Sequence, residues 1–336
     1  MAKGHERRGY QPRAGGLGHG GGTVIDPLAR RAIGKTALRV SRLGVGGGST
    51  FGRAHDGTSL LDTCWEAGLR YFDSAPLYGA GESERRFGAF LASKPRETFV
   101  LSTKVGRIGP TQFDYSADAI QRALRGSHER LGLSRIDLVF IHDLDPDLLG
   151  DAFERQFDQA VNGAAPALLA LRDSGAIAAF GVGVKNWDVC LRFARAVPVD
   201  CFMLAGGYTL LQHGALAELL PYCVMHDISV IVAAPFNTGI LATGAIEGAR
   251  YYYEPADAEV LARTRRLETI CGRHGVGLAA AALQFPLLHP AVASIVVGHE
   301  SFEQVEQNLR MLCQPIPRAL WAEMKVEGLL PGHAPT

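Results

Sequence analysis

Four ionisable side chains suited to acid–base chemistry follow three short apolar segments. Asp73 and Tyr78 stand in YFDSAPLY, Lys104 in TFVLSTKVG and His142 in IDLVFIHD. A free tyrosine titrates near a pH of about 10, too high for efficient proton transfer near neutrality. An ammonium group close by favours the phenolate, so we expect Lys104 to lower the pKa of Tyr78. Asp73 would keep Lys104 charged and in place, and His142 would donate to a substrate oxygen.

The elements that must position these residues form a regular alternation. Eight apolar runs are each followed by a helical pattern, and they cover residues 42–48, 69–75, 98–106, 136–143, 177–184, 200–207, 229–235 and 292–298. Continuous apolar runs are typical of strands buried on both faces of a parallel sheet. Eight strand–helix pairs in about 300 residues predict an α/β fold, the (β/α)8 TIM barrel. A Rossmann sheet is disfavoured, because GVGGGST lacks the GxGxxG spacing.

In such a barrel, catalytic side chains come from the C-terminal ends of the strands. Each of the four residues alone has an ordinary structural interpretation: a turn cap, a loop anchor, a strand-end charge or a half-buried imidazole. Their coincidence at three successive strand ends instead predicts one active site, because neighbouring strands lie only about 4.8 Å apart.

Composition limits the remaining possibilities. The 336 residues are 47% hydrophobic, which predicts one large globular domain over 31–330. Residues 1–30 are Gly/Arg-rich and are expected to form a disordered tail. The 34 basic and 34 acidic residues balance, which argues against nucleic-acid and membrane-surface binding. Six scattered cysteines without zinc spacing predict no metal site and a cytoplasmic location. No segment is typical of a membrane span or a secretory signal.

The chain resembles the aldo-keto reductase family over residues 32 to 314. YFDSAPLYGAGESE, STKVG and IHD are similar to its three catalytic segments, and GKTALRVSRLGVGGG to its opening. The resemblance implies hydride transfer between a nicotinamide and a carbonyl or alcohol carbon. Tyr78 would be the general acid/base, Lys104 its partner, Asp73 the buried support and His142 the residue that orients the substrate.

Further segments resemble the D-threo-aldose 1-dehydrogenase branch, which includes the L-fucose dehydrogenases. They include FDYSADAIQRALRGSHERLGLSRIDLVFIHDLD and PFNTGILATG. This implies oxidation of an aldose to its lactone, and pyridoxal 4-dehydrogenase is the similar alternative. A general aldehyde or ketone reductase, a non-enzymatic cofactor-binding subunit and a Schiff-base or isomerase barrel using Lys104 as nucleophile also remain open. The complete set of four residues disfavours the non-enzymatic subunit.

The loops after strands seven and eight form the phosphate site in many such barrels, which predicts a cofactor site here. The alternative is two ordinary Gly/Asn turns. The candidate residues of these loops are Pro235, Asn237, Gly239, Leu241, Gly298, Glu300, Gln304 and Asn308. By resemblance, Asn308 would contact the adenine, Tyr208 would stack on the nicotinamide and Asn186 would bind its carboxamide. Lys185 and Ala205 depart from the family's usual serine and glutamine.

Cofactor choice depends on the loop GHESFEQVEQN, which has no Arg or Lys between residues 298 and 308. A 2′-phosphate needs such a cation, so NAD is expected rather than NADP, although Arg310 is one helical turn away. The substrate is expected to be a small sugar or aldehyde. Its candidate contacts lie in loops at the catalytic end of the barrel: Phe51, His55, Phe113, Asp114, Tyr115, Trp187 and Asn237.

Overall fold

The structure is a computed structural model that describes residues 22–48, 50 and 57–336. Within these residues the strands are β1 (Arg30–Ala32), β2 (Arg39–Ser41), β3 (Leu43–Gly46), β4 (Tyr71–Asp73), β5 (Val100–Val105), β6 (Leu138–His142), β7 (Ala179–Val184), β8 (Cys201–Ala205), β9 (Ser229–Ala233), β10 (Arg250–Tyr251), β11 (Glu254–Pro255) and β12 (Val292–Val297). The α-helices of the same part are α1 (Gly57–Glu66), α2 (Glu82–Leu91), α3 (Ala117–Leu131), α4 (Pro146–Leu149), α5 (Phe153–Gln159), α6 (Ala165–Asp173), α7 (Trp187–Ala196), α8 (Leu219–His226), α9 (Ile240–Thr243), α10 (Ala258–Arg273), α11 (Leu278–Leu287), α12 (Phe302–Cys313) and α13 (Arg318–Val326).

Eight of the strands close into a parallel barrel, which confirms the predicted TIM-barrel fold. Their order is β3-β4-β5-β6-β7-β8-β9-β12, and β12 pairs back with β3. Each of these strands coincides with one of the eight apolar runs, because each is covered by the barrel interior on one face and by helices on the other. Across the closing seam, the buried Arg42 side chain donates to the carbonyls of Val292 and Leu287.

Alternation along each strand decides which side chains face the barrel interior. In β6, Leu138 and Phe140 belong to the interior cluster, whereas Val139 and Ile141 pack in the layer between strands and helices. Successive strand residues point to opposite faces, so His142 lies on the interior side at the C-terminal end of β6. The same alternation brings acid–base groups on β4 and β5 to this end.

A hairpin that the sequence did not predict closes the opposite end of the barrel. β1 and β2 pair antiparallel, and the fully buried Ile33 and Val40 belong to the interior cluster. The Gly34 N–H donates to Ser229 Oγ, at the first residue of β9, over 2.8 Å. The barrel interior is therefore closed by apolar side chains at its N-terminal end, and ligands reach it from the C-terminal end.

The packed domain begins before residue 31, the boundary expected from composition. Thr23 forms an antiparallel bridge with Ile316, and the N–H of Ile25 donates to Leu312 O over 3.2 Å. Ile25 is also buried in the main core. Residues 23–30 thus belong to the folded domain, because they cover the helix layer near α12. Residues 1–21 of the expected tail lie outside the described residues.

Three further findings concern the described part of the chain. None of its helices combines the length and the apolar character that a membrane crossing requires. It contains no group of three or more His, Cys, Asp or Glu side chains arranged to hold a metal ion. All six cysteines are free thiols.

Candidate active site

Asp73 and Lys104 form a buried ion pair at the C-terminal end of the barrel. Lys104 Nζ lies 2.6 Å from Asp73 Oδ2, and the two side chains are 2% and 4% exposed. Lys104 Nζ also donates to Ser74 O over 2.7 Å, and Ser102 Oγ donates to Asp73 Oδ1 over 2.6 Å. Both carboxylate oxygens are therefore occupied, and the ammonium group is fixed from two sides. This is the supporting arrangement predicted for these two residues.

Tyr78 lies in the loop after β4, at the start of a 3-10 turn. Lys104 Nζ is 4.7 Å from the centre of its ring. The loop is held by a hydrogen bond from the Tyr78 N–H to Ala75 O over 3.1 Å and by a 2.8 Å contact between the hydroxyls of Ser74 and Ser83. The structure thus brings the phenol and the ammonium group together, as predicted.

The pKa values of Tyr78 and Lys104 are both raised. Burial raises the pKa of Tyr78, and the charge of Lys104 only partly opposes this effect. Lys104 lowers the pKa of Tyr78, as the sequence analysis expects, but desolvation of the phenolate outweighs this attraction and the net shift is upward. Burial alone would lower the pKa of Lys104, but Asp73 and Tyr78 raise it above its usual value. At neutral pH the pair is a phenol beside an ammonium group.

His142 completes the group from the end of β6. Its ring packs edge-on against the Tyr78 ring, with centroids 5.9 Å apart and an interplanar angle of 86°. Burial lowers the pKa of His142 to about 3, although the Asp143 carboxylate opposes the shift. The imidazole is therefore neutral at pH 7 and can donate one hydrogen bond without carrying charge. The hydroxyl of Tyr115 donates to the His142 carbonyl over 2.8 Å and fixes this strand end.

Tyr78, Lys104 and His142 line a cavity of about 350 Å³, with Asp73 supporting it from behind. This volume lies at the lower end of the range for small-molecule sites, roughly 300–1,000 Å³. The other lining residues are Leu77, Arg107, Asp143, Leu148, Gly183, Lys185, Met203, Ala205, Gly206, Ala233, Ala234, Asn237, Thr238, Tyr252 and Tyr253. The cavity is therefore large enough to hold a small molecule beside Tyr78.

Most of the predicted substrate residues lie elsewhere. Phe113 and Asp114 line a neighbouring open groove of about 820 Å³, which meets the cavity at Leu148. Tyr115 is fully buried, and its hydroxyl bonds to the backbone carbonyl of His142. Trp187 begins α7 and packs against the core. These positions follow strand ends in the sequence, but their side chains turn away from the cavity. Phe51 and His55 lie outside the described residues.

The sequence analysis missed several residues of the cavity wall. Arg107 and Asp143 form an ion pair there, Nη1 to Oδ2, at 2.5 Å. The sequence contains a signal for both residues, because Arg107 comes shortly after Lys104 and Asp143 directly follows His142. Tyr252 had no such signal, because it comes from the β10–β11 hairpin, far from any predicted strand end. Its hydroxyl donates to the carbonyl of Gly206 over 2.9 Å.

Two asparagines predicted to bind the cofactor are held near the cavity. Asn186 donates through Nδ2 to Asp145 Oδ1 over 3.0 Å, and Asp145 is fully buried. Asn237 lines the cavity itself, accepts from Thr209 Oγ1 over 2.6 Å and donates to Gly206 O over 3.2 Å. Both side chains are therefore oriented by neighbours before any ligand binds.

By the family resemblance, Tyr208 is expected to stack on the nicotinamide. Its side chain is fully buried, and its ring packs against Phe285 at 5.1 Å and His289 at 5.9 Å between ring centroids. It is not among the residues that line the cavity. Small side chains, Ala205 and Ala233, stand at the neighbouring strand ends instead and leave the cavity open there.

The predicted loop after β12 forms a reciprocal helix cap. After Gly298, Ser301 Oγ accepts from the Gln304 N–H over 3.3 Å, and Gln304 Oε1 accepts from the Glu300 N–H over 2.8 Å. This pattern satisfies backbone groups at the start of α12 and leaves a helix N-terminus that favours an anion. Glu300 is exposed, whereas Asn308, eight residues further along, is buried.

The surroundings of this cap fit a bound cofactor. His299 is fully buried, and neither of its ring nitrogens has a hydrogen-bond partner among the described residues. A buried polar group without a partner is costly, which is consistent with a ligand group that binds here. In the loop after β9, Pro235 and Leu241 are buried and Gly239 has a φ of 110°, a conformation that favours glycine.

Comparisons with known proteins agree with this geometry. The family model for the aldo/keto reductase family matches residues 42–326. A pyridoxal 4-dehydrogenase from Microbacterium luteolum is 38% identical across 90% of this chain and 98% of its own length. A D-threo-aldose 1-dehydrogenase from a Pseudomonas species is 37% identical across 81% of this chain and 88% of its own. An aldo-keto reductase from Bacillus halodurans, solved in its holo form, superposes with a TM-score of 0.75, with 25% identity, over 90% of this chain and 96% of its own. The barrel, the four residues at three strand ends and these similarities lead to one conclusion: the chain is an oxidoreductase that belongs to the aldo/keto reductase family.

Proposed function

We propose that this oxidoreductase is an aldose 1-dehydrogenase that oxidises the anomeric carbon of a D-threo-aldose, of the L-fucose type, to the lactone. The observation that carries the proposal is the cavity in which Tyr78, Lys104 and His142 meet. One part of its wall is apolar, with Met203 and Ala233, and another part is charged. A sugar ring has apolar faces and hydroxyl edges, so it suits such a wall.

The residues of the chain supply the proton chemistry. The deprotonated form of Tyr78 takes the proton from the anomeric hydroxyl, and the Lys104 ammonium group stabilises this phenolate. Asp73 holds the ammonium group in place through the 2.6 Å ion pair. The neutral imidazole of His142 donates to the substrate oxygen and orients the carbon. Aldo-keto reductases use NAD(P)H, and its oxidised form accepts the hydride when it is bound.

For the cofactor, we propose NAD rather than NADP. Asn186 and Asn237 would hold the nicotinamide end, and the α12 cap would hold the phosphate end. Glu300 is exposed beside that cap and would repel a 2′-phosphate, but it can accept hydrogen bonds from a ribose hydroxyl. Arg310 is engaged with Glu306 at 3.3 Å, on the same helix, instead of turning toward the cap.

A second candidate is oxidation of pyridoxal, and it is favoured by the 38% identity to a pyridoxal 4-dehydrogenase across 98% of that protein. Pyridoxal also combines a flat apolar ring with hydroxyl groups, so it suits the apolar and charged parts of the cavity wall for the same reason. A non-enzymatic binding role is disfavoured, because a binding protein has no need of the buried Asp73–Lys104 pair beside a tyrosine. The six free thiols support a cytoplasmic location.

The test is an assay of NADH formation at 340 nm with L-fucose, D-arabinose, L-galactose and pyridoxal as substrates. We expect the highest kcat/KM with one of the three aldoses, and a lactone as the product by mass spectrometry. A clear preference for pyridoxal would establish the second candidate instead. Absence of turnover with all four, in either direction, would contradict both.

A further inference from the structure

Arg107 and Asp143 form a charged pair on the cavity wall beside the catalytic histidine. The pair is largely buried, with 16% and 21% of the two side chains exposed. His142 Nε2 lies 3.4 Å from Asp143 Oδ2, the carboxylate oxygen that also meets Arg107. The pair thus lies directly beside the histidine that is proposed to donate to the reacting substrate oxygen. Nothing in the proton transfer between Tyr78 and a substrate requires it.

The pair is held rigidly before any ligand binds. Arg107 donates through Nε to Gly109 O over 3.3 Å and through Nη2 to Pro110 O over 2.7 Å. Asp143 has a φ of 52°, an uncommon conformation for a residue other than glycine, and its N–H donates to Gly183 O over 2.8 Å. Strained backbone of this kind persists where the surrounding structure enforces it, often at functional sites.

Among the described residues, every contact of the Asp143 carboxylate is made through Oδ2. Oδ1 is left to accept a hydrogen bond from a ligand in the cavity. The guanidinium group of Arg107 carries five N–H donors, and the described contacts use only three of them. The two residues therefore offer a charged acceptor beside a charged donor, the combination that a hydroxyl group satisfies by donating to one and accepting from the other.

We infer that Arg107 and Asp143 recognise the hydroxyl groups on the two substrate carbons that follow the one that is oxidised, C2 and C3 of the aldose. The inference rests on the proposed aldose substrate and adds the residues that select it. A substrate without these hydroxyls leaves both charged groups without their partners, and sites built this way discriminate strongly against such analogues. The pair thus makes the enzyme selective for polyhydroxylated substrates over simple aldehydes.

The test compares wild type and Asp143→Asn with L-fucose and with its 2-deoxy and 3-deoxy analogues as substrates. Asparagine has nearly the same shape and tolerates a positive φ, so the variant should fold. We expect it to lower kcat/KM for L-fucose by roughly tenfold to a hundredfold, and to leave kcat/KM for at least one deoxy analogue within about threefold of wild type. Arg107→Lys should show the same dependence on the substrate. Glu154→Gln, which breaks an exposed ion pair with Arg192, is the control and should affect all substrates equally.

Two outcomes overturn different claims. Equal losses on L-fucose and both deoxy analogues would show that the pair only positions His142, and would overturn this inference while the proposed function stands. A wild-type enzyme that oxidises none of the aldoses would overturn the proposed function and this inference together. Unfolding curves of the two variants separate either result from a general loss of structure.

Discussion

Lys104 and Asp73 are joined across neighbouring strands, 2.6 Å from Nζ to Oδ2, in a position where water has almost no access to either side chain. Both residues lie on strands of the closed barrel, whose register pairs Asp73 with Ser102. The strand register therefore fixes the geometry of the ion pair, whereas Tyr78 lies in a loop that must pack against the barrel. A site built on such rigid elements holds its geometry better than one built from loops alone.

Replacement of Tyr78 tests the proton transfer directly. Tyr78→Phe keeps the ring and its edge-on contact with His142 but removes the hydroxyl. We expect kcat to fall by about 10²–10⁴, the usual contribution of a general acid or base. Binding of NAD⁺, followed by quenching of tryptophan fluorescence, should stay within about twofold of wild type. A variant that keeps most of its turnover would remove Tyr78 from the mechanism.

Lys104 sets the pH at which the phenol can act as a base. Burial raises the pKa of Tyr78 and the Lys104 ammonium group opposes that rise. Oxidation needs the deprotonated phenol, so kcat/KM for oxidation should increase as pH rises above neutrality. In Lys104→Met the opposing charge is lost, so the increase should move to still higher pH. The measurement is a pH profile of sugar oxidation in both proteins, and an unchanged midpoint in the variant would contradict this role.

Four histidines with lowered pKa values, of which His213 is only partly buried, make the folded state sensitive to acid. Burial lowers the pKa of His142 to about 3, and those of His213, His289 and His299 to about 4. Below a pH of about 6.5 the unfolded chain binds protons that the folded state excludes. The free energy of unfolding should therefore fall as pH drops from about 6.5 toward 4, by up to about 1.4 kcal/mol per pH unit for each histidine.

Unfolding in urea at pH 7 and pH 5 measures this dependence. His289→Gln should reduce the difference between the two pH values. The exposed His333, replaced in the same way, is the control and should leave the difference unchanged. Equal stability of the wild-type protein at both pH values would show that these imidazoles are protonated in the folded state.

Cofactor preference can be tested at the α12 cap. We expect wild type to bind NAD⁺ more tightly than NADP⁺, and Glu300→Arg to shift the ratio of their dissociation constants toward NADP⁺ by roughly tenfold, or about 1.4 kcal/mol. Glu303→Arg places the same charge three residues later, in the first turn of α12, and should shift the ratio less. Binding is measured by fluorescence, independently of turnover. A wild type that prefers NADP⁺ would refute the assignment of Glu300.

The segment before β1 should contribute to stability. A chain that starts at Arg31 loses the buried side chain of Ile25 and the bridge between Thr23 and Ile316. We expect its free energy of unfolding to fall by about 2 kcal/mol or more, the usual cost of one buried aliphatic side chain. A chain that starts at Gly22 is the matched control, because it keeps these contacts. Equal stability of the two would show that the segment packs without contributing.

The sequence predicted the barrel well because its strands are buried on both faces. Ala179–Val184 contains no polar side chain and Val292–Val297 contains only one, Ser294, so their pattern cannot be confused with a half-exposed strand. The acid–base residues could be predicted for a related reason: a polar side chain that ends such an apolar run is conspicuous. Asp73, Lys104 and His142 all have this position.

The cavity wall was harder to predict because spacing along the chain does not show where a loop side chain points. Phe113 and Asp114 follow a strand end, but they face the neighbouring groove. Tyr252 and Tyr253 face the cavity from a hairpin whose turn residues have φ values of 48° and 69°. Turns with two positive φ values usually contain Asn or Gly, so two tyrosines gave no turn signal.

The pairing of β3 with β12 delays closure of the barrel until the end of synthesis. The carbonyl partners of Arg42 stand 245 and 250 residues further along the chain, at Leu287 and Val292. During synthesis Asp73, Tyr78, Lys104 and His142 emerge from the ribosome long before β12 does, so they cannot meet in a closed barrel at that stage. Until the last strand arrives, the edges of β3 and β9 are unpaired, and open edges favour association between chains. The yield of active enzyme should therefore depend on translation speed and on chaperones that bind the growing chain, more than on the stability of the finished barrel.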